Sequence, residues 1–192
     1  MALDHRDRSI LSLFLYACAG RWRDLEAIGA TIAPDLPPQE LREAVRMVVP
    51  FAGYPRAVEA FEVLDAAGLL PSPPGVTPPV GDGDALFDVI YGADADQVRG
   101  RLEELDPSLA LWIRDHAYGA VLAGPALDAR TRELLAVAWL ATTDQPRQLL
   151  SHLRGALRCG AVREDIVEAV HLACGGPETT AAVRALRLLE RC

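Results

Sequence analysis

Apolar positions recur at helical spacing along nearly the whole chain. Ile10, Leu11, Leu13, Phe14 and Leu15 crowd one segment too densely for an exposed helix, so a buried one is expected there. Pro37 and Pro38 precede ELREAVRMVV, where proline suits a first helical turn, and Pro55 opens RAVEAFEVLDAAG, which Gly68 ends. Further on, ALFDVIYG is a short apolar element, and Val98, Leu102 and Leu105 line one side of another helix. Asp106 is placed as the cap of a helix running through SLALWIRDHAYGAVLAG, and Asp128 as the cap of ARTRELLAVAWLA. Three more helices follow in QPRQLLSHLRGALRCG, VREDIVEAVHLAC and PETTAAVRALRLLERC. No stretch alternates with period two over six residues, which predicts an all-α fold.

One interruption divides this pattern. Five prolines and three glycines fall between Pro71 and Asp84, a density that forbids regular structure. The predicted organisation is a helical region 1–70, a linker 71–83 and a helical domain 84–192. The two helical regions resemble each other. An offset of 124 sets Arg8-Ser9-Ile10-Leu11 on Arg132-Glu133-Leu134-Leu135, and an offset of 122 sets Gly53-Tyr54-Pro55 on Gly175-Gly176-Pro177. The shared order of features predicts an internal duplication, with the two copies packed on each other as a pseudo-symmetric pair.

Composition narrows the function classes. Ala and Leu dominate the apolar content, aromatics are only 6%, and the 192-residue chain has a net charge of -8. That balance argues against nucleic acid, whose phosphates need a basic surface, and against anionic membranes. No apolar run has the length of a membrane span, and the charged start MALDHRDRS does not read as a signal peptide. Cys18, Cys159, Cys174 and Cys192 form no C-x-x-C pair and suggest reduced thiols in a soluble cytoplasmic protein, with Cys18 and Cys174 as buried apolar residues. No His/Cys/Asp/Glu cluster has zinc spacing and no phosphate-binding glycine loop is evident, so neither a metal nor another cofactor is expected.

The segment 84–190 is similar to the carboxymuconolactone decarboxylase family. The residues that carry the resemblance are Ala117-Tyr118-Gly119, Pro125 with Leu127-Asp128, Arg130-Thr131-Arg132-Glu133-Leu134, Gln148-Leu149, His152-Leu153-Arg154-Gly155-Ala156-Leu157, and Gly160 before Glu164-Asp165-Ile166. The resemblance implies a helical bundle of that family's type, which includes the alkyl hydroperoxidase D branch. That branch carries a glutamate followed by C-x-x-C-x-x-x-H on the next helix. Here Glu133 holds the glutamate position and His152 the histidine, but Gln145 and Gln148 stand at the two cysteines. An amide is neither nucleophile nor resolving thiol, so thiol peroxidase chemistry ranks last.

What the resemblance implies instead is a cofactor-free carboxy-lyase or isomerase acting on a small carboxylated lactone or related acid. His152 is the candidate acid/base, because an imidazole titrates near 6.5, and Glu133 its orienting partner or the base itself. Arg132 and Arg154 are candidates for holding carboxylates, and Tyr118, His116 and His171 for lining the site. The alternative is a non-catalytic helical scaffold that keeps the fold for assembly; in both readings a homo-oligomer is expected. Two departures from the family stand out. Gly124 occupies a position where an arginine often precedes Pro125. From Ile166 to Pro177 there are 11 steps against the 14 from Leu41 to Pro55, a shortening of three residues beside the expected pocket. In the first half, Ser9, Arg21, Asp24 and Ile28 occupy the positions of Glu133, Gln145, Gln148 and His152, so only the second half is expected to carry chemistry.

Overall fold

A computed structural model describes residues 3–70, 75, 82–143 and 145–192. Most of the expected linker 71–83 and the connection at Asp144 fall outside them. The described residues contain helices and no strand, so the protein is all-α. Two helices form its centre. The first, α1 (His5–Ala19), starts at Asp4, whose carboxylate accepts the Asp7 N–H at 2.7 Å. Around it lie α2 (Trp22–Ile32), α3 (Pro38–Arg46), the short α4 (Val48–Ala52) and α5 (Tyr54–Ala66). The stretch expected as one helix from Glu40 to Val49 thus bends at Met47 into α3 and α4.

After the linker, α6 (Gly83–Tyr91) and α7 (Ala95–Leu105) lead to α8 (Pro107–Trp112), capped by Asp106 as its sequence implies. That helix does not continue regularly. From Ile113 to Leu122 the chain widens to π-helical i→i+5 bonding, seen where the Ala123 N–H reaches the Tyr118 carbonyl. Within the wider turn Tyr118, Val121 and Leu122 enter the core, while Leu105, Leu109 and Trp112 ahead of it face solvent. Leu105 therefore does not share the half-buried side of α7 with Val98 and Leu102, as the spacing suggested. The second central helix is α9 (Ala129–Thr142), capped by Asp128 through the Thr131 N–H at 2.7 Å. Around it pack α10 (Pro146–Arg158), α11 (Arg163–Cys174) and α12 (Thr180–Leu189). Cys18 is buried, whereas Cys174 is only half-buried.

The core is continuous across the chain, because α1 packs against α9 and α11. Reciprocal polar contacts tie the same surfaces together. Glu43 on α3 accepts the Leu127 N–H at 2.9 Å and pairs with Arg132 on α9 at 2.5 Å. Glu168 on α11 accepts the Leu3 N–H at 2.9 Å and pairs with Arg8 on α1 at 2.5 Å. Within each half, Arg6 pairs with Glu40 at 2.7 Å and Arg130 with Asp165 at 2.8 Å. Leu3, Arg6 and Arg8 correspond to Leu127, Arg130 and Arg132 at the offset of 124, and Glu40 and Glu43 to Asp165 and Glu168 at 125. The latter register differs by three from that taken through the Gly-x-Pro segments, so the three-residue shortening falls after this part of α11.

Candidate active site

Glu133 sits one turn into α9 and His152 two turns into α10, and the two helices pack side by side. Their side chains meet: His152 Nδ1 lies 3.0 Å from Glu133 Oε2. Glu133 is completely buried and His152 is 9% exposed. Gly155 makes this approach possible, because a Cβ there would collide with the Glu133 carboxylate. With Nδ1 donating to the carboxylate, the ring is held in one orientation and Nε2 is left as the lone-pair nitrogen. The second carboxylate oxygen, Oε1, is buried without a hydrogen-bond partner among the described residues.

His152 forms part of the wall of a cavity of about 320 Å³. The first half supplies Pro50 and Phe51 to it, with the Phe51 ring edge-on to the imidazole at 5.7 Å. The Trp139 indole N–H fixes that segment by donating to the Phe51 carbonyl at 3.1 Å. Tyr118 and Tyr91 lie opposite, and the Tyr118 hydroxyl donates to the Tyr91 oxygen at 3.2 Å. Burial first, and the nearby Glu133 charge with it, raises both phenol pKa values, Tyr118 the further. Both therefore stay protonated at neutral pH, and the Tyr91 O–H is free to donate into the cavity. Gln145, Arg147, Gln148 and Ser151 form the polar side, near the start of α10.

The residues singled out from the sequence fare differently. Glu133, His152 and Tyr118 come together. Arg132 does not reach the cavity: it is buried in its pair with Glu43 and donates to the Gly124 carbonyl at 2.6 Å. Burial lowers its pKa and Glu43 opposes the shift. Gly124 matters for that contact, since a Cβ there would lie 2.8 Å from the Glu43 carboxylate. Arg154 is partly exposed near Asp94, 3.9 Å away, and does not line the cavity. His116 is outside it as well, 2.7 Å from the Tyr54 hydroxyl. His171 lies on α11 with its Nε2 buried and no hydrogen-bond partner among the described residues.

The arginine that does line the cavity is Arg147, which forms no ion pair among the described residues. Its signal in the sequence was available: Arg147, Gln148, Ser151 and His152 lie on one face of α10 at i, i+1, i+4 and i+5. Tyr91 had no such signal, because only packing brings α6 against α10. No cysteine lines the cavity, and Cys159 behind it is pushed up to about 11, first by burial and then by Glu133. Among the described residues no group of three or more His, Cys, Asp or Glu could hold a metal ion.

The chain is similar to known proteins. The chain is 28% identical over 158 residues to Peroxisomal protein 2 of Schizosaccharomyces pombe, covering 78% of this chain and 71% of that protein. It is 40% identical over 73 residues to Uncharacterized protein 4 in cox locus of Paracoccus denitrificans, 36% of this chain and 66% of that protein. The cap at Asp106, the π-helical segment with Tyr118, and the Glu133–His152 pair all fall in or against one further match, which runs from Pro107 to Arg191. Residues 107–191 of this chain match the model of the carboxymuconolactone decarboxylase family.

Proposed function

We propose that the protein is a cofactor-free carboxy-lyase or isomerase of small carboxylated lactones or related acids, with His152 as acid/base and Glu133 as its partner. The observation that carries this reading is the buried 3.0 Å contact between Glu133 and an imidazole that also faces a cavity. Loss of carbon dioxide breaks a C–C bond and leaves its electron pair on the substrate, delocalised onto a conjugated oxygen. The Tyr91 O–H is placed to donate to such an oxygen. Carbon must then take a proton; Nε2 of His152 first takes one up from solvent and delivers it, returning to its lone-pair form, while the Glu133 carboxylate balances the charge that the protonated ring carries in between. Thiol peroxidase activity stands last, since the cavity offers Gln145 and Gln148 where a redox pair is needed.

The test is turnover of a panel of carboxylated lactones by the wild-type protein and by His152→Gln. General acid/base catalysis is worth about 100- to 10,000-fold, so the variant should lose that much rate with its melting transition preserved. Equal rates, or no turnover of any panel member by wild type, would sink the assignment and favour the scaffold reading. The exposed Leu105, Leu109 and Trp112 support that alternative's central element, self-association, which the enzyme reading shares. A Trp112→Arg variant that sediments as a smaller species than wild type is the expected result; identical sedimentation counts against it. The reciprocal contacts of Glu43 and Glu168 support an origin by duplication. The free thiols support a cytoplasmic location, which a fluorescent fusion would test against the peroxisome in the relative's name.

A further inference from the structure

The cavity that holds His152 is not isolated. A second, larger cavity of about 720 Å³ lies between α6, α7 and α8. The two share Leu102 and Ile113 in their walls, so those side chains form the partition between them. Phe87 reinforces it, lining the outer cavity on one side and stacking on Tyr91 and Tyr118 of the inner one at 4.3 and 4.8 Å. The chambers differ in chemistry. The inner one carries Arg147, a cation without an ion-pair partner among the described residues, with the amides of Gln145 and Gln148. The outer one contains Arg99 and Arg114, but Asp88 and Asp96 pair with the first and Asp115 with the second. Asp84 and Glu103 add negative charge that repels an anion, and the rest of its surface is apolar, from Phe87, Leu102, Pro107, Leu111 and Ile113. An anion therefore has an unshared partner in the inner chamber, while the outer one favours hydrocarbon.

We propose that the protein binds a bipartite carboxylic acid, whose carboxylate sits at Arg147 in the chamber of His152 and whose apolar chain passes between Leu102 and Ile113 into the outer chamber. The proposal rests on the acid/base reading of the His152 site for its chemistry and specifies the substrate class that site receives. Half-buried Leu102 and Ile113 are aliphatic side chains with rotamer freedom, so a chain can part them without breaking a hydrogen bond. Arg147 is the second residue of α10, where the helix's positive end adds to its attraction for a carboxylate.

The experiment is calorimetric titration of the full-length protein with butanoate, hexanoate and octanoate, and with octanamide as the uncharged control. Burial of a methylene is worth about 0.8 kcal/mol, so octanoate should bind about two orders of magnitude more tightly than butanoate. Leu102→Trp should abolish that gain, so that octanoate binds no more tightly than butanoate; Ile113→Trp on the facing element should do the same if the first variant fails to fold. Arg147→Gln should weaken the acids equally and leave octanamide unchanged. The same titrations on His152→Gln separate the two ideas: chain-length dependence that persists there stands even if the turnover reading fails. Octanoate binding no tighter than butanoate, or a gain that survives both tryptophan substitutions, overturns the proposal.

Discussion

The two central helices, α1 and α9, solve the same packing problem and differ in what their buried polar positions do. Both begin at an aspartate cap, both are buried along most of their length, and both send an arginine to a glutamate from the other half of the chain. At the position of Glu133, however, α1 has Ser9, whose hydroxyl donates to the His5 carbonyl within its own helix. At the position of His152, α2 has Ile28, packed against the core. Most of the structural polar groups are thus matched across the halves, Asp7 excepted, which pairs with Arg130 where α9 has Thr131; the Glu133–His152 contact also has no counterpart. A buried carboxylate with an oxygen lacking a hydrogen-bond partner costs stability, and it is found in the half that has a cavity beside it.

The sharpest way to break this comparison is to attack the matched pairs. Glu43→Ala leaves Arg132 buried without its partner and removes the acceptor of the Ala126 and Leu127 N–H groups. It should cost about 3–5 kcal/mol in denaturant unfolding. A loss under about 1 kcal/mol would show that the pair is not holding the halves together. Gly155→Ala comes next. The added methyl displaces the Glu133 carboxylate, so unfolding free energy should fall by about 1–3 kcal/mol, with loss of whatever turnover depends on His152. Unchanged stability would mean that the carboxylate has room elsewhere.

A smaller effect concerns pH. The Cys159 thiol is raised from 9.0 to about 11 in the folded chain, so between those values the unfolded chain releases a proton that the folded chain keeps. Stability contributed by the protonated thiol is complete below pH 9 and declines as pH rises towards 11. Urea titrations at pH 8 and pH 10.5 should show the decline, shallower in Cys159→Ser; an identical slope in the variant would remove Cys159 as its source. Smallest of all is Arg8→Met. Its side chain is 53% exposed in the pair with Glu168, against 5% for Arg132 with Glu43, so the expected loss is below about 1 kcal/mol. A loss as large as that of Glu43→Ala would make the two contacts equal in strength as well as in position.

Much of this was legible locally. Asp106-Pro107 and Asp128 mark helix starts by short-range chemistry, and the structure begins helices there. Glu133 and His152 were singled out by the resemblance to the family's motif, and their meeting was legible because each lies a fixed number of turns from a helix start. Arg132 was misplaced because its partner Glu43 is 89 residues away, and sequence spacing carries no information on which of two arginines turns inward. The π-helical turn around Tyr118 was missed for a related reason. Its apolar pattern fits a regular helix, and only packing selects the wider turn within which Tyr118 is buried, with Trp112 ahead of it outside. Arg147 was overlooked beside the glutamines that replaced the cysteines, although its helical face pointed to the site.

The exchange of glutamates between the halves also constrains how the protein is made. The start of α1 is completed by Glu168, which the ribosome adds 98 residues after the first helical region ends at residue 70. At about 5–20 residues per second, the nascent chain waits on the order of 5–20 s before the partner of Arg8 exists. During that interval Leu3 and Arg8 lack their acceptor, and the face of α1 that meets α9 and α11 is uncovered. Nascent chains arrested before residue 168 should accordingly be cut by protease near α1, and chains arrested well after it should resist. Synthesis of this protein is therefore a period in which its first helix depends on a chaperone or on its own later sequence for cover.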